Sequence, residues 1–413
     1  MNGGPTHSRD QLDRNQLSLG LFGLNCSGGL AVTTVPERWD ASWENNQKAA
    51  VMADEAGLDF MLPLGRWKGY GGITDHNASN FETLTWASGI LASTRNIMAF
   101  GTTHVSLFNP VVAAKQMVTA DHIGQGRFGL NIVCGWNSDE FDMLGVDLAQ
   151  HDDRYDQGQE WIDVVTQVWS CDGPFDYDGK FYQVHKTEIY PKPYGGGRPT
   201  LVCAGNSPRG RQFAARNADM MFTNLRGDIE GGRQNVKELR EIAAGYKRDI
   251  GVFSNVSVVC RPSKKEAEEY FHYYAVENAD LDAVENLIEG RGLKKPGVSE
   301  EFLKGARVRA AAGNGALPIV GNPDEVVAIG AAIQAGVRIS SIRSSRTRPL
   351  FAAGGMRSRL EAKATSNASV PAPARTNMVS MMPRRSSPAP SSRTSVVATM
   401  ATPTTARAEK TMR

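Results

Sequence analysis

Four clusters of polar and glycine residues, each directly after a short apolar run, are where this chain has the means to do chemistry. The second run leads into Gly65-Arg66-Trp67-Lys68-Gly69-Tyr70-Gly71-Gly72 and then Asp75-His76-Asn77. The third leads into Thr102-Thr103-His104. The fourth gives Asn131-Ile132-Val133-Cys134-Gly135-Trp136 followed by Glu140, and the fifth gives Cys203-Ala204-Gly205-Asn206-Ser207-Pro208-Arg209-Gly210. The fifth has the makings of a phosphate seat. Ser207 suits a helix N-cap and Pro208 the first helical position, so free backbone N–H groups would point at an anion. Gly205 allows close backbone approach and Arg209 adds charge. The same residues also make an ordinary capped helix, which is the commoner use of the pattern. His76 and His104 have the chemistry of a proton donor and a substrate contact, although a loop histidine more often serves as a cap or a hydrogen-bonding residue. No His, Asp, Glu or Cys cluster has metal-ligand spacing. No Gly-x-Ser-x-Gly elbow, Walker loop or Gly-x-Gly-x-x-Gly after the first strand is present. The residues alone therefore point to a phosphate-bearing small ligand and name no reaction.

The elements that must position these clusters alternate. Candidate strands are Leu17–Gly23, Leu58–Leu64, Ile97–Thr102, Phe128–Val133, Thr200–Ala204, Met220–Thr223 and Asn255–Cys260. Helical patterns lie between and after them at Asn46–Ala56, Glu82–Ser93, Val111–His122, Arg154–Trp169, Arg209–Asn217, Val236–Lys247 and Lys264–Val276. In the fourth, Trp161, Ile162, Val165, Val168 and Trp169 recur at helical spacing, so one stripe faces a core and the tryptophans read as packing. Strands alternating with helices predict a parallel sheet with crossover helices. Seven such units and an incipient eighth predict an α/β fold of the (β/α)8 TIM-barrel type, with function at the ends of the strands. Two insertions interrupt the rhythm: a hairpin at about 172–194, and a polar, glycine-rich stretch at about 278–317, long enough to be a lid.

Hydrophobic residues make up 41% and charged residues 22%, the balance of a soluble globular protein. No apolar run approaches the roughly 18–20 residues needed to span a bilayer, and Met1 to Asn15 lacks the apolar stretch of a secretory signal. Residues 1–16 are expected to be disordered. Five scattered cysteines fit neither a disulfide framework nor a zinc site and read as reduced thiols of a cytoplasmic protein. The net charge of +2 conceals an asymmetry: residues 337–413 hold 14 Lys/Arg against Glu361 and Glu409, leaving the preceding residues at about −10. That basic tail reads as a solvated extension, since nucleic-acid binding needs more than charge.

Gly126-Arg127-Phe128-Gly129-Leu130-Asn131-Ile132-Val133-Cys134-Gly135-Trp136 with Glu140-Phe141 resembles the hallmark of bacterial-luciferase-like flavin monooxygenases. Asn25-Cys26-Ser27-Gly28-Gly29-Leu30 resembles the dimethylsulfone monooxygenases, and Lys68 to Gly72 with Asp75-His76-Asn77 the pyrimidine monooxygenases. His151-Asp152-Asp153-Arg154-Tyr155 and Ala204 to Ser207 are similar to both, and to alkanesulfonate monooxygenases. The likeness covers about Leu17–Val337. It implies reduced FMN at the barrel mouth and O2 activation through a flavin C4a-(hydro)peroxide, acting on a sulfone, sulfonate or pyrimidine-like small molecule. It also implies a separate NAD(P)H-dependent flavin reductase and a homo-oligomer. By the same resemblance, Gly65 and Arg66 flank the flavin, Asn131 and Glu140 hydrogen-bond it, and Arg154, Tyr155 and Ser207 fix its phosphate. Trp136 and His104 then line the substrate pocket, and His76 and Cys134 are the candidate catalytic residues. Arg154 has a second reading, as a partner of Asp152 or Asp153. Cys134 stands where relatives carry Ser or Thr, and Arg66 where the pyrimidine enzymes carry Lys. Related barrels bind the deazaflavin F420 and transfer hydride, and a degenerate flavin-binding barrel is the non-enzymatic alternative.

The match stops at Val337. A closing strand over Val337–Arg343 has poor alternation for a strand, and Ala, Ser, Thr, Pro, Arg and Met dominate thereafter. A shifted reading frame from about Val337 explains this most simply, with residues 346–413 then expected to be a disordered tail.

Overall fold

The computed structural model describes Leu12 and residues 18–223 and 229–338. The elements follow the expected alternation: β1 (Gly20–Phe22), α1 (Trp43–Glu55), β2 (Phe60–Leu62), α2 (Thr83–Ser93), β3 (Met98–His104), α3 (Pro110–Ile123) and β4 (Phe128–Val133). A short α4 (Ser138–Met143) and the long α5 (His151–Ser170) precede a hairpin of β5 (Phe175–Asp178) and β6 (Gln183–Thr187). Then come β7 (Thr200–Cys203), α6 (Pro208–Asn217), β8 (Met220–Phe222), α7 (Ile229–Gly245) and β9 (Gly251–Phe253). The remainder is β10 (Val256–Cys260), α8 (Lys264–His272), α9 (Leu281–Gly290), α10 (Glu300–Gly313), β11 (Leu317–Gly321) and α11 (Pro323–Arg338).

Seven strands form one parallel sheet in the order β1-β2-β3-β4-β7-β8-β9. The sheet curls strongly. Phe60 of β2 stacks on Phe253 of β9 at 4.6 Å, and Phe22 of β1 meets Phe222 of β8 at 5.0 Å, although neither pair of strands is adjacent. These rings, with Leu12, Leu62, Met98, Phe100, Val202 and Met220, fill the concave interior. The alternate residues Met61, Ala99, Leu201 and Met221 face the helices and join the larger outer core. Gly129 has to be glycine, because a Cβ there would sit 2.3 Å from the Phe100 ring. The two tryptophans of α5 are packed in that outer core, each donating its indole N–H to a backbone carbonyl, of Phe108 and Ala114.

Two expectations need correction. The strand placed at Asn255–Cys260 is not the seventh of the sheet: Gly251–Phe253 takes that place, and β10 pairs in parallel with β11 in a separate two-stranded sheet. Three residues are too short to show an alternation, so the longer apolar run drew the assignment. Closure by an eighth strand is also absent among the described residues, whose sheet has seven strands. Val337 and Arg338 end α11 instead of starting a strand. The rest of the expected strand and the tail at 346–413 lie outside the described residues, as do most of residues 1–16. The stretch around 278–317 holds helices α9 and α10, and 172–194 contains the β5–β6 hairpin.

Candidate active site

The period of two that points Phe100 inward does the same for Thr102 and His104 on β3 and for Asn131 and Val133 on β4. Above the aromatic plug the interior therefore turns polar. A cavity of about 400 Å³ opens there, at the C-terminal ends of the strands. That is within the size range of small-molecule sites. Of the expected residues, Gly65, His104, Asn131, Cys134, Trp136, Arg154, Tyr155 and Ser207 line it; Arg66, His76 and Glu140 do not.

At one end of the cavity Ser207 caps α6, its Oγ accepting from the Gly210 N–H at 3.1 Å. The Tyr155 hydroxyl is also hydrogen-bonded to Ser207, and burial pushes its pKa up to about 12. A Cβ on Gly205 or Gly210 would lie 2.8 or 2.5 Å from that hydroxyl, so both must be glycine for the loop to close on Tyr155. Arg154 pairs with neither Asp152 nor Asp153. It donates to the Gly135 carbonyl, while its Nε is buried without a partner. Arg209 does not join this end: it is bound to Asp156 and half exposed, so its charge is already engaged.

At the other end Asn131 donates to Thr102 Oγ1 at 3.2 Å, and its Oδ1 is a buried acceptor with no partner. His104 is 3% exposed, and burial followed by the Arg66 charge lowers its pKa to about 4, so the ring is neutral at pH 7. Cys134 lies in the wall with its Sγ against Gly158 of α5, and burial raises its thiol well above the ordinary range. It is a protonated thiol, not a ready nucleophile.

Arg66 and Glu140 form an adjoining group. Arg66 Nε meets Glu140 Oε1 at 3.1 Å with both side chains buried. The same oxygen accepts from the Trp67 N–H at 2.8 Å and the Lys68 N–H at 3.3 Å, which fixes the loop after β2. Arg66 Nη1 and Glu140 Oε2 remain buried without partners. The Arg66 guanidinium lies 4.8 Å from the centre of the Tyr70 ring and 5.3 Å from that of Trp136. His76 sits behind Tyr70, 6.2 Å between ring centres, with its Nε2 buried and unpartnered. Burial lowers its pKa to about 4, Asp280 opposing and Arg66 adding to the effect.

Tyr70, Asp280 and Arg291 pack in this region and were not among the expected site residues. Asp280, the N-cap of α9, accepts from the Thr74 N–H at 2.8 Å, the Thr74 hydroxyl at 2.7 Å and the Ile73 N–H at 3.2 Å. It thereby clasps the loop that carries His76. Tyr70 was visible in its glycine-rich loop, but no local signal marks Asp280 or Arg291. Among the described residues no group of three or more metal-ligating side chains is assembled, and no helix is long and apolar enough to cross a membrane.

A curled parallel sheet with polar residues gathered at its C-terminal edge is the geometry expected from the motif around Asn131. A family model described as luciferase-like monooxygenase matches residues 18–338. The chain belongs to that family. This luciferase-like chain is 33% identical over 261 residues to an FMNH2-dependent dimethylsulfone monooxygenase of Pseudomonas fluorescens (strain Pf0-1), spanning 63% of this chain and 69% of the relative. It is 29% identical over 272 residues to the pyrimidine monooxygenase RutA of Allorhizobium ampelinum (strain ATCC BAA-846 / DSM 112012 / S4), spanning 65% and 73%. The crystal structure of long-chain alkane monooxygenase LadA matches with a TM-score of 0.69 at 18% identity, covering 86% of this chain and 91% of that one, a likeness of fold.

Proposed function

We propose that this luciferase-like chain is an FMNH2-dependent monooxygenase that oxidises a small organic substrate with O2, supplied with reduced flavin by a separate NAD(P)H:flavin reductase. The observation that carries this reading is the order of groups along the cavity. One end has a capped helix N-terminus, two obligatory glycines and the unpartnered Arg154 Nε, which together are the donor set of a phosphate seat. The other end has Gly65, Trp136 and the unpartnered acceptor Asn131 Oδ1, which suit a flat heterocycle with N–H groups at its edge. These residues fit FMN, and the FMNH2 dependence of the dimethylsulfone relative supports the reduced form.

When bound, reduced FMN supplies two electrons to O2, so that one oxygen atom enters the substrate and the other leaves as water. The chain's own tasks are holding, orienting and drying. Arg154, Tyr155 and Ser207 hold the phosphate; Gly65 and Asn131 orient the ring. The Arg66–Glu140 pair braces the loop after β2 and presents Arg66 Nη1 beside it. His104 faces the cavity as a neutral ring able to hold one proton on one nitrogen. His76 is a neutral ring behind Tyr70 with its Nε2 unpartnered, and Cys134 is a protonated wall residue. The absence of a nicotinamide fingerprint supports an external reductase. All five cysteines are free, which supports a reducing, cytoplasmic location. The curl of the seven strands supports closure of the barrel by one further strand.

The test compares FMN with riboflavin, which lacks the phosphate. Ser207→Ala combined with Arg154→Ala should weaken FMN at least about tenfold more than riboflavin, since charge-assisted hydrogen bonds contribute about 1.5–3 kcal/mol each. Equal losses for the two ligands overturn the phosphate placement. O2 uptake no faster than that of free reduced FMN, across sulfones, sulfonates and pyrimidines, overturns the oxygenase reading.

A further inference from the structure

Asn131 offers the cavity an oxygen and not an amide N–H, and the reason lies one strand away. Thr102 on β3 is the register partner of Asn131 on β4, and both side chains are buried at the cavity wall. Thr83 of α2 holds the Thr102 backbone: its hydroxyl donates to the Thr102 carbonyl at 2.6 Å and accepts from the Thr102 N–H at 3.1 Å. The Thr102 methyl packs on Gly65, where a Cβ would come within 2.7 Å of it. The Thr102 hydroxyl faces Pro63 and donates to its carbonyl at 2.8 Å.

A hydroxyl has one proton to give. With that proton on the Pro63 carbonyl, Thr102 Oγ1 can only accept, and Asn131 Nδ2 donates to it at 3.2 Å. Among the described residues no other donor reaches the Pro63 carbonyl, which belongs to a buried residue. Turning the Asn131 amide over would set its Oδ1 against Thr102 Oγ1. Only pulling the hydroxyl off Pro63 relieves that repulsion, and a buried carbonyl is then left unpaired, which is unfavourable. The amide is therefore locked. Asn131 Oδ1, buried and without a partner, meets whatever the cavity holds as a fixed acceptor.

We propose that Thr102 is a positioning residue: by locking the Asn131 amide it makes the cavity selective for reduced over oxidised FMN. The inference rests on the flavin reading above and adds the device that tells the two forms apart. Two-electron reduction of an isoalloxazine places N–H groups where the oxidised ring has lone pairs. A locked carbonyl oxygen attracts the first and repels the second. A free amide would discriminate far less, since it could rotate to offer its NH2 to a lone pair.

Anaerobic titration of the full chain with FMN and with dithionite-reduced FMN, followed by tryptophan fluorescence, tests it. Wild type should bind the reduced form about tenfold or more tighter. Thr102→Val keeps the methyl against Gly65 but loses the hydroxyl. The ratio should then narrow at least about fivefold, with oxidised FMN bound no more weakly than by wild type. Thr102→Ser keeps the hydroxyl and should retain most of the wild-type ratio. A merely structural role for Thr102 predicts equal weakening of both forms in Thr102→Val, and that result overturns the proposal. So does a wild-type chain that binds both forms alike. Thr102→Ala, which also lacks the hydroxyl, decides the matter should Thr102→Val fail to fold. Binding of both forms with a ratio that Thr102 does not control sinks this inference and leaves the flavin reading standing; no binding of either form sinks the two together.

Discussion

Lowering the pH from 7.5 to 5.0 should cost this fold about 3 kcal/mol, and the sum comes from three buried groups. His76 and His104 fall from 6.5 to about 4 in the folded chain, chiefly because burial disfavours their charged forms. Between those values the unfolded chain binds protons that the folded chain refuses, so stability is lost as pH falls through 6.5 toward 4. By pH 5.0 the loss is about 2 kcal/mol for each histidine. Asp121 works the other way. Burial raises its carboxyl from 3.8 to about 6, with the Tyr194 N–H among the opposing influences. The folded chain therefore takes up a proton first, and acidification to pH 5.0 returns about 1 kcal/mol. Asp280, burial notwithstanding, is held below its ordinary value by hydrogen bonds from Thr74, Ile73 and Ala283, and its loss begins only below pH 4. Urea unfolding followed by tryptophan fluorescence at half-unit pH steps measures the sum, and His104→Gln should remove about 2 kcal/mol of the pH dependence while leaving the Asp121 contribution. A midpoint that stays flat from pH 7.5 to 5.0, or a slope unchanged in His104→Gln, would refute the claim that these rings are buried neutral.

His76→Ala should leave FMN affinity within about twofold but lower the product formed per O2 and raise hydrogen peroxide release, since desolvated donors near a reacting group act on chemistry more than on binding; unchanged coupling returns His76 to a structural role. Gly210→Ala would place a methyl 2.5 Å from the Tyr155 hydroxyl and 2.7 Å from the Gly205 carbonyl carbon. Titration should show FMN weakened and urea melts a loss of about 1–3 kcal/mol. Phe253→Ala removes the ring stacked on Phe60 and should cost about 3–5 kcal/mol, with β9 amides exchanging faster by hydrogen exchange.

What the chain revealed in advance divides by the range of the signal. Ser207-Pro208 announces a helix start within two residues, and α6 begins there with Ser207 as its cap. Period two along Phe128–Val133 and period 3.6 around Trp161 are likewise local, and the main strands and α5 follow them. β9 escaped because three residues carry no period, and the neighbouring run at 256–260 is longer and more apolar. The pairings around the cavity escaped for a different reason: a charge does not show from sequence which partner will take it. Arg209 was read as part of a phosphate seat, yet Asp156, on a helix 53 residues earlier, claims it. Arg66 finds Glu140 on the short helix α4, and Asp280 clasps Thr74 across 206 residues. These pairings exist only because the curl of the sheet and the insertion before β11 bring separate strand ends together. The same physics explains why the most consequential atoms are the unpartnered ones. Asn131 Oδ1, Arg66 Nη1, Arg154 Nε and His76 Nε2 are each buried polar groups whose desolvation the chain itself does not offset. Under the proposed function, a ligand bound at the strand ends would complete hydrogen bonds that Asn131 Oδ1 and Arg154 Nε do not find within the chain.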